Sequence, residues 1–152
     1  MSSKRLLTLL FFVALVVGGG LAIGYGFRPG AWYAGLSKPA FNPPAWVFAP
    51  VWTILYVMIA VAGWRIFEQD FSGRRMMFWS AQLALNFLWT PTFFGAHQIA
   101  LALVVILLLL ATILALVAAS WPRDRTTALL LMPYAAWVAF ASVLNAAIWH
   151  LN

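Results

Sequence analysis

Uncharged polar and aromatic side chains recur at helical spacing within three apolar runs of this sequence. The three sets are Gln82, Asn86, Trp89 and Phe93; Pro133, Trp137, Ala141 and Asn145; and Trp52, Tyr56 and Ala60. Spacings of three and four residues place each set on one face of a helix. Because a buried amide in an apolar environment needs hydrogen-bond partners, these faces are predicted to turn toward one another.

Two interpretations of these faces stay open. The amides and indoles could simply hold neighbouring helices together. Alternatively they could line a cavity, with aromatic walls and an amide floor, formed by Trp52, Tyr56, Trp89, Trp137, Asn86 and Asn145. Flat aromatic walls with a few hydrogen-bonding groups suit a large, planar, apolar ligand with polar edges.

Groups able to perform catalysis are scarce, so the sequence favours a binding protein over an enzyme. The three acids, Glu68, Asp70 and Asp124, fall in turns, and no charged residue lies in the middle of an apolar run. This pattern argues against proton relays, ion-coupled transport and paired-carboxylate catalysis. The chain has no cysteine, and His97 and His150 lie at run ends without a partner carboxylate. No metal site or axial haem ligand is therefore predicted.

The composition is that of an all-α integral membrane protein. Of the 152 residues, 65% are hydrophobic and 8% are charged, whereas about a quarter of a soluble domain is charged. The length predicts one domain covering residues 1–152. The net charge of +6 includes no basic cluster that could track a nucleic acid, so it is predicted to reflect membrane topology and lipid contact.

Hydropathy predicts five transmembrane helices in one bundle. The spans cover residues 6–27, 46–67, 76–94, 99–121 and 127–150, each near the twenty residues that cross about 30 Å of hydrocarbon. A signal peptide is the alternative for the first, although its apolar part is long for that role. The short connection before residue 99 predicts that the third and fourth spans are neighbours. The fourth, almost purely aliphatic, is predicted to face lipid.

A proline-rich loop over residues 28–45 joins the first two spans. Three prolines, Pro39, Pro43 and Pro44, prevent a continuous helix before Trp46. Trp32 and Tyr33 bring aromatic surface that must be buried. The loop is therefore predicted to be a lid packed over the bundle.

Basic residues predict the orientation in the membrane. With five spans, seven Lys and Arg residues fall on the side of the N-terminus and two on the other: Lys4, Arg5, Arg65, Arg74, Arg75, Arg123 and Arg125 against Arg28 and Lys38. The excess of positive charge on cytoplasmic loops then predicts a cytoplasmic N-terminus. The loop 28–45 is predicted to lie on the outer side.

Six ordered motifs resemble the tryptophan-rich sensory protein / translocator protein (TspO/MBR) family, also called peripheral-type benzodiazepine receptors. They are W-Y-x-x-L-x-K-P at 32–39, P-P-x-W at 43–46, P-x-W-x-x-L-Y at 50–56, Q-L-x-L-N at 82–86, W-x-P-x-F-F-G-A at 89–96 and P-Y-x-x-W-x-x-F-A-x-x-L-N at 133–145. The resemblance implies a five-helix membrane bundle, usually a homodimer. It also implies binding of tetrapyrroles such as protoporphyrin IX and haem, of synthetic drugs and, in animals, of cholesterol, with no obligatory cofactor.

The resemblance also implies site residues. The family's pocket falls on Trp52, Asn86, Trp137, Ala141 and Leu144, with Trp32 and Tyr33 closing over it. A tetrapyrrole sensor or carrier is the leading interpretation. A light-dependent porphyrin-degrading enzyme is an alternative, since Trp52 and Trp137 match tryptophans implicated in that reaction in some bacterial members. A transporter proper is disfavoured by the missing intramembrane charges.

The sequence also leads to expectations about sterol binding, the oligomeric state and the membrane in which the protein lies. The animal cholesterol motif would fall on Leu144, Ala146 and His150, where its tyrosine and arginine are absent, so specific cholesterol binding is not expected. A homodimer is predicted to use small residues at its seam. The resemblance favours the third span, with Ala81 and Ala84, and the pair Gly20/Gly24 is the alternative. A bacterial inner membrane is predicted, although the family includes outer-membrane members.

Overall fold

The computed structural model describes all residues from 1 to 152, and every regular element is helical. Helix α1 (Ser3–Val13) continues through a π turn (Ala14–Gly18) into α2 (Gly19–Gly26), and the short α3 (Ala31–Ala34) follows. Helix α4 covers Ala45–Asp70, and α5 covers Arg74–Thr90 before a second π turn, Pro91–Gly95. Helices α6 (Ile99–Ser120) and α7 (Arg125–Leu151) complete the chain.

Capping side chains set where the helices begin and end. The Ser2 hydroxyl accepts from the backbone N–H of Arg5 at 3.4 Å at the start of α1. At the start of α7, the Asp124 carboxylate accepts from the N–H of Thr127 at 3.3 Å. After the second π turn, His97 takes a left-handed conformation with φ 56°. Helices α1 and α7 therefore begin at these caps, a few residues before the apolar runs begin. The left-handed His97 marks where the helical path of α5 and the π turn has ended.

Four helical segments are long and apolar enough to cross a membrane. They are Ser3–Gly26, Ala45–Asp70, Ile99–Ser120 and Arg125–Leu151. Helix α5, at 17 residues, is shorter and begins with two arginines, and it is not among the four. The crossing of α5 as a fifth span therefore stays a prediction. The outer surface carries many exposed apolar side chains, such as Leu7, Phe11 and Leu107, as expected of a membrane protein.

Helix α6 has a larger part in the core than the sequence predicts. It packs against both α5 and α7, so the predicted neighbourhood of the third and fourth spans is confirmed. Its buried residues include Leu109, Ile113 and Leu116, while Leu101 and Leu107 on another face are exposed. The expectation that this helix mainly faces lipid is therefore wrong in part. A uniformly aliphatic helix has no polar stripe, so its sequence gives no sign of which side is packed.

A polar network joins the helices at the end of the bundle formed by residues 65–75 and 120–127, here termed the arginine end. Arg65 donates from Nε and Nη2 to the two carboxylate oxygens of Asp124 at 3.0 and 2.9 Å. Gln69 donates to the same carboxylate at 2.8 Å, and the Thr127 hydroxyl donates to it as well. Burial by itself would raise the pKa of Asp124, but these hydrogen bonds outweigh it and hold the pKa below its usual range.

Candidate functional site

Phe93, in the π turn after α5, is the centre of one group of predicted site residues. Its ring centroid lies 5.0 Å from that of Trp89, 5.8 Å from Trp32 and 6.3 Å from Tyr33. Leu144 of α7 belongs to the same buried cluster. The fold thus brings four predicted site residues, Trp32, Tyr33, Trp89 and Leu144, together around Phe93. The sequence predicts that Phe93 shares a helix face with Trp89, but it does not identify Phe93 as a site residue.

The loop between α2 and α4 is attached by contacts of its aromatic and polar groups. The ring of Trp32 stacks on His97, with centroids 4.1 Å apart and planes 9° apart. Farther along, the backbone of Ser37 exchanges two hydrogen bonds with the side chain of Asn152, at 3.0 and 2.9 Å. The stacking on His97 was missed in the sequence, because nothing in the local pattern indicates which ring a loop histidine will meet.

Asn145 joins three helices at this end of the site. Its Oδ1 accepts from the indole Nε1 of Trp89 at 3.0 Å, and its Nδ2 donates to the backbone carbonyl of Ile99 at 3.1 Å. Asn145 is 2% exposed. The polar groups of Asn145 and Trp89 are thus occupied by each other and by the backbone, which is the helix-holding role considered above.

A second group of predicted residues surrounds the buried hydroxyl of Tyr134. This hydroxyl accepts from Nδ2 of Asn86 at 2.8 Å and donates to Oε1 of Gln82 at 2.8 Å. Trp52 presents its ring to Tyr134 with centroids 6.4 Å apart, and Tyr56 lies 5.4 Å from Trp52. Trp52, Tyr56 and Asn86 therefore meet at one phenol on α7.

Tyr134 was not predicted as a site residue, and Pro133, which was placed on the inward face, is exposed. The cause is helical geometry: steps of four residues rotate by about 40° more than a full turn. Three such steps lead from Pro133 to Asn145, so the two residues differ in direction around the helix axis by about 120° and cannot share one face. The signal that could have identified Tyr134 is chemical, because a phenol can donate and accept at once and so bridges one group from each of two facing amides.

Trp137 differs from the other site residues in having an unsatisfied polar group. Its ring lies 6.0 Å from Phe48 and 5.5 Å from Phe140. Its indole Nε1 is buried and has no hydrogen-bond partner. Ala141 follows one turn later on α7 and is half-buried. The arrangement leaves an unpartnered N–H donor one helical turn from a small side chain, with the rings of Phe48 and Phe140 close to the indole.

Two cavities lie at the arginine end. The larger, about 480 Å³, is lined by Arg5, Trp64, Arg65, Glu68 and Gln69. The smaller, about 80 Å³, is lined by Asp70, Arg74, Arg75, Ala119 and Arg123. Neither cavity touches any of the ten predicted site residues, whose side chains pack against one another and against the core.

Replacing Tyr134 with Phe is expected to lower the free energy of unfolding by about 1–2 kcal/mol. The variant keeps the ring but leaves Nδ2 of Asn86 without its acceptor and Oε1 of Gln82 without its donor. Thermal or denaturant unfolding in detergent would measure the loss. The exposed phenol Tyr25 is the control, and Tyr25→Phe should change stability by much less. Equal effects of the two substitutions would contradict the assigned bridge.

Comparison with known proteins agrees with the six sequence motifs. The TspO/MBR family model matches residues 11–150. Protein CrtK of Rhodobacter capsulatus is 37% identical over 147 residues, which cover 94% of this chain and 91% of that protein. The tryptophan-rich sensory protein of Cereibacter sphaeroides is 39% identical over 82% of this chain and 79% of its own length. The human translocator protein is 38% identical over 90% of this chain and 82% of its own. The chain therefore belongs to the TspO/MBR family.

Proposed function

We propose that this membrane protein binds a tetrapyrrole, such as protoporphyrin IX or haem, among the aromatic side chains of α4, α5 and α7, and serves as a sensor or carrier for it. The observation that carries the proposal is the buried, unpartnered indole N–H of Trp137. Leaving a buried donor unsatisfied costs about 1–3 kcal/mol. A ligand that accepts this hydrogen bond would remove that cost. The names of the sensory and translocator relatives agree with a sensing or carrying role.

The surroundings of Trp137 favour a flat ligand with polar edges. Phe48 and Phe140 lie close enough to offer aromatic faces. Ala141, one turn along α7, has a small, half-buried side chain, so a flat ring that enters when the loop moves would meet little obstruction there. Stacking on aromatic rings together with one directed donor is a typical way of orienting an apolar ring system.

Binding requires the loop 28–45 to move. Ligand pockets generally enclose about 300–1,000 Å³, whereas the aromatic groups as packed meet one another at ring-stacking distances. The loop includes only one helix, the four-residue α3, and Trp32 and Tyr33 on it are half-buried. Displacing these two rings from Phe93 would open a path from the end of the bundle. In this proposal the loop acts as the lid.

The proposal includes a topology and a location. Helix α5 and the π turn after it cross the membrane as the third of five spans, giving one domain over residues 1–152. The excess of Arg and Lys at the arginine end supports a cytoplasmic position for that end and for the N-terminus. The membrane is proposed to be a bacterial inner membrane.

A homodimer is proposed to form through the outer face of α5. Ala81 and Ala84 are exposed there and would allow a second helix to approach closely. The alternative pair, Gly20 and Gly24, is less suitable, because Gly20 already packs against a ring of its own chain. A Cβ added to Gly20 would stand 2.4 Å from the ring of Tyr56, so no space is left there for a second chain. Gly24 alone has open space around it.

Titration with protoporphyrin IX tests the ligand site. Trp137→Ala is expected to weaken binding by roughly threefold to tenfold, since an aromatic contact contributes about 0.5–1.5 kcal/mol beyond its buried area. Ala141→Phe should also weaken binding, because the added ring would occupy the position proposed for the ligand beside the indole. Binding would be followed by porphyrin absorbance and by tryptophan fluorescence in detergent.

Two matched variants separate site effects from general ones. Trp149→Ala removes an exposed tryptophan from the same helix, and Ala136→Phe adds a ring at an exposed position of α7. Both should bind porphyrin like the parent. Thermal unfolding identifies variants that lose structure, because overpacking costs about 1–3 kcal/mol. If folded Trp137→Ala and Ala141→Phe titrate like the parent, the ligand does not bind beside Trp137.

A further inference from the structure

Three arginines that lack a carboxylate partner meet at the smaller cavity of the arginine end. The cavity has a volume of about 80 Å³, and its lining is Asp70, Arg74, Arg75, Ala119 and Arg123. The ion pairs of the protein involve other arginines: they are Arg5–Glu68 and Arg65–Asp124. Three arginines against one aspartate leave a net charge of +2 on the lining. The cavity therefore attracts anions.

Arg75 supplies the strongest indication that something binds there. It is only 6% exposed. Its Nη2 donates to Oε1 of Gln69 at 2.9 Å, and Gln69 is in turn fixed by its hydrogen bond to Asp124. Its Nη1 is buried and has no partner. A buried guanidinium without a counter-ion is strongly unfavourable. Asp70 is on the same lining but forms no ion pair with Arg75, so an anion from outside the chain would complete the site.

The start of α5 adds to the positive potential. This 17-residue helix begins at Arg74, and no side chain hydrogen-bonds to its first backbone N–H groups. The carboxylate of Asp70 lies against the N-cap, Gly73, without capping it. Free N–H groups at a helix N-terminus carry a partial positive charge and commonly bind phosphate. The helix terminus and the guanidinium groups of Arg74 and Arg75 thus favour the same kind of ligand.

We propose that Arg74, Arg75 and Arg123, together with the N-terminus of α5, bind a phosphate group supplied by the headgroup of an anionic phospholipid. A water molecule has a share of about 30 Å³ in the liquid, so a cavity of about 80 Å³ has room for a single phosphate group. The guanidinium fork matches phosphate geometry, which a lysine cluster would not do.

The neighbouring surface identifies the phosphate as that of a lipid. Phe71 and Met77, close to Arg74 in the chain, are 67% and 60% exposed, and Trp121, close to Arg123, is 43% exposed. Apolar side chains beside a basic pocket at a helix end are suited to acyl chains next to a headgroup. A soluble phosphate would gain nothing from them.

This site does not depend on tetrapyrrole binding. Phe93 lies 18 positions after Arg75 along α5 and the π turn, which corresponds to about 27 Å along the helix axis. Lipid bound at the arginine end and porphyrin bound among the aromatic groups can therefore be measured separately on the same protein.

Lipid titration of the full-length, delipidated protein tests the proposal. Phosphatidylglycerol, phosphatidylcholine with the same acyl chains, and inorganic phosphate would be added in parallel, with binding followed by native mass spectrometry and by thermal unfolding. Affinity for phosphatidylglycerol should fall about tenfold or more in Arg75→Gln and about fivefold in Arg123→Gln. Arg125→Gln removes an exposed charge that does not line the cavity, and it should stay within about twofold of the parent.

The outcomes separate the possibilities. Equal affinity of the parent, Arg75→Gln and Arg123→Gln for phosphatidylglycerol would overturn the site. An equal loss in Arg125→Gln would do the same, because it would indicate general attraction by surface charge. A response to inorganic phosphate as strong as that to the anionic lipid would overturn the lipid assignment. If Arg75→Gln does not fold, Arg123→Gln decides, because Arg123 is exposed in a turn.

Discussion

Replacing Asp124 with Ala is expected to lower the free energy of unfolding by about 3 kcal/mol, the largest effect of any single charge in this protein. The substitution removes the N-cap of α7 and the acceptor for Arg65, Gln69 and the hydroxyl of Thr127. It leaves the guanidinium of Arg65 only partly exposed and without its counter-ion. Chemical or thermal unfolding in detergent would measure the change.

The second ion pair of the chain is the matched control. Arg5 and Glu68 meet at 2.8 Å, but the Arg5 side chain is 53% exposed, and ion pairs at exposed sites contribute about 0–1 kcal/mol. Glu68→Gln should therefore cost much less than Asp124→Ala. Asp124→Asn should fall between them, because it keeps a capping side chain while losing the charge. Comparable losses in Glu68→Gln and Asp124→Ala would disprove the special role of this carboxylate.

The same carboxylate predicts how stability depends on pH. Its pKa is lower in the folded protein than the ordinary value of 3.8. The unfolded state therefore takes up a proton first as the pH falls, and stability decreases. The contribution of Asp124 should be complete above about pH 5 and should be lost progressively as the pH falls through the ordinary pKa and on to the lower folded pKa. Acid unfolding of Asp124→Asn should lack this component.

Replacing Gly63 with Ala is expected to destabilise the protein by about 3 kcal/mol, near the upper limit for overpacking. A Cβ at this position would stand 2.3 Å from Cε2 of Trp79, a distance that atoms cannot adopt. The indole cannot easily withdraw, because Trp79 is 3% exposed and its Nε1 donates to the carbonyl of Ile59 at 2.9 Å. Helices α4 and α5 would have to separate.

Another helical glycine and a double variant test this explanation. Gly24→Ala should be neutral or slightly stabilising, because no atom lies within 4 Å of its added Cβ and alanine is the better helix former. In Gly63→Ala/Trp79→Ala the whole indole is gone, so the double variant should lose less stability than the sum of the losses of Gly63→Ala and Trp79→Ala. Additive losses would mean that the two residues do not interact through this contact.

The sequence alone determined the class of the protein and the nature of its interior. Long uncharged runs can be stable only as helices in a membrane, since no other backbone arrangement within one run satisfies its polar groups. Amides inside such runs must face protein, so the inward positions of Gln82, Asn86 and Asn145 followed from chemistry. The six motifs also identified the family correctly.

Only the tertiary structure decided which groups meet. The choice of Tyr134 over Pro133 and the pairing of Trp89 with Asn145 depend on how far each helix is rotated and how closely its neighbours approach. The burial of Arg75 at a turn that looks merely charged in the sequence depends on the same quantities. Rotation and spacing result from packing between residues distant in the chain, and a periodic pattern within one helix does not contain them.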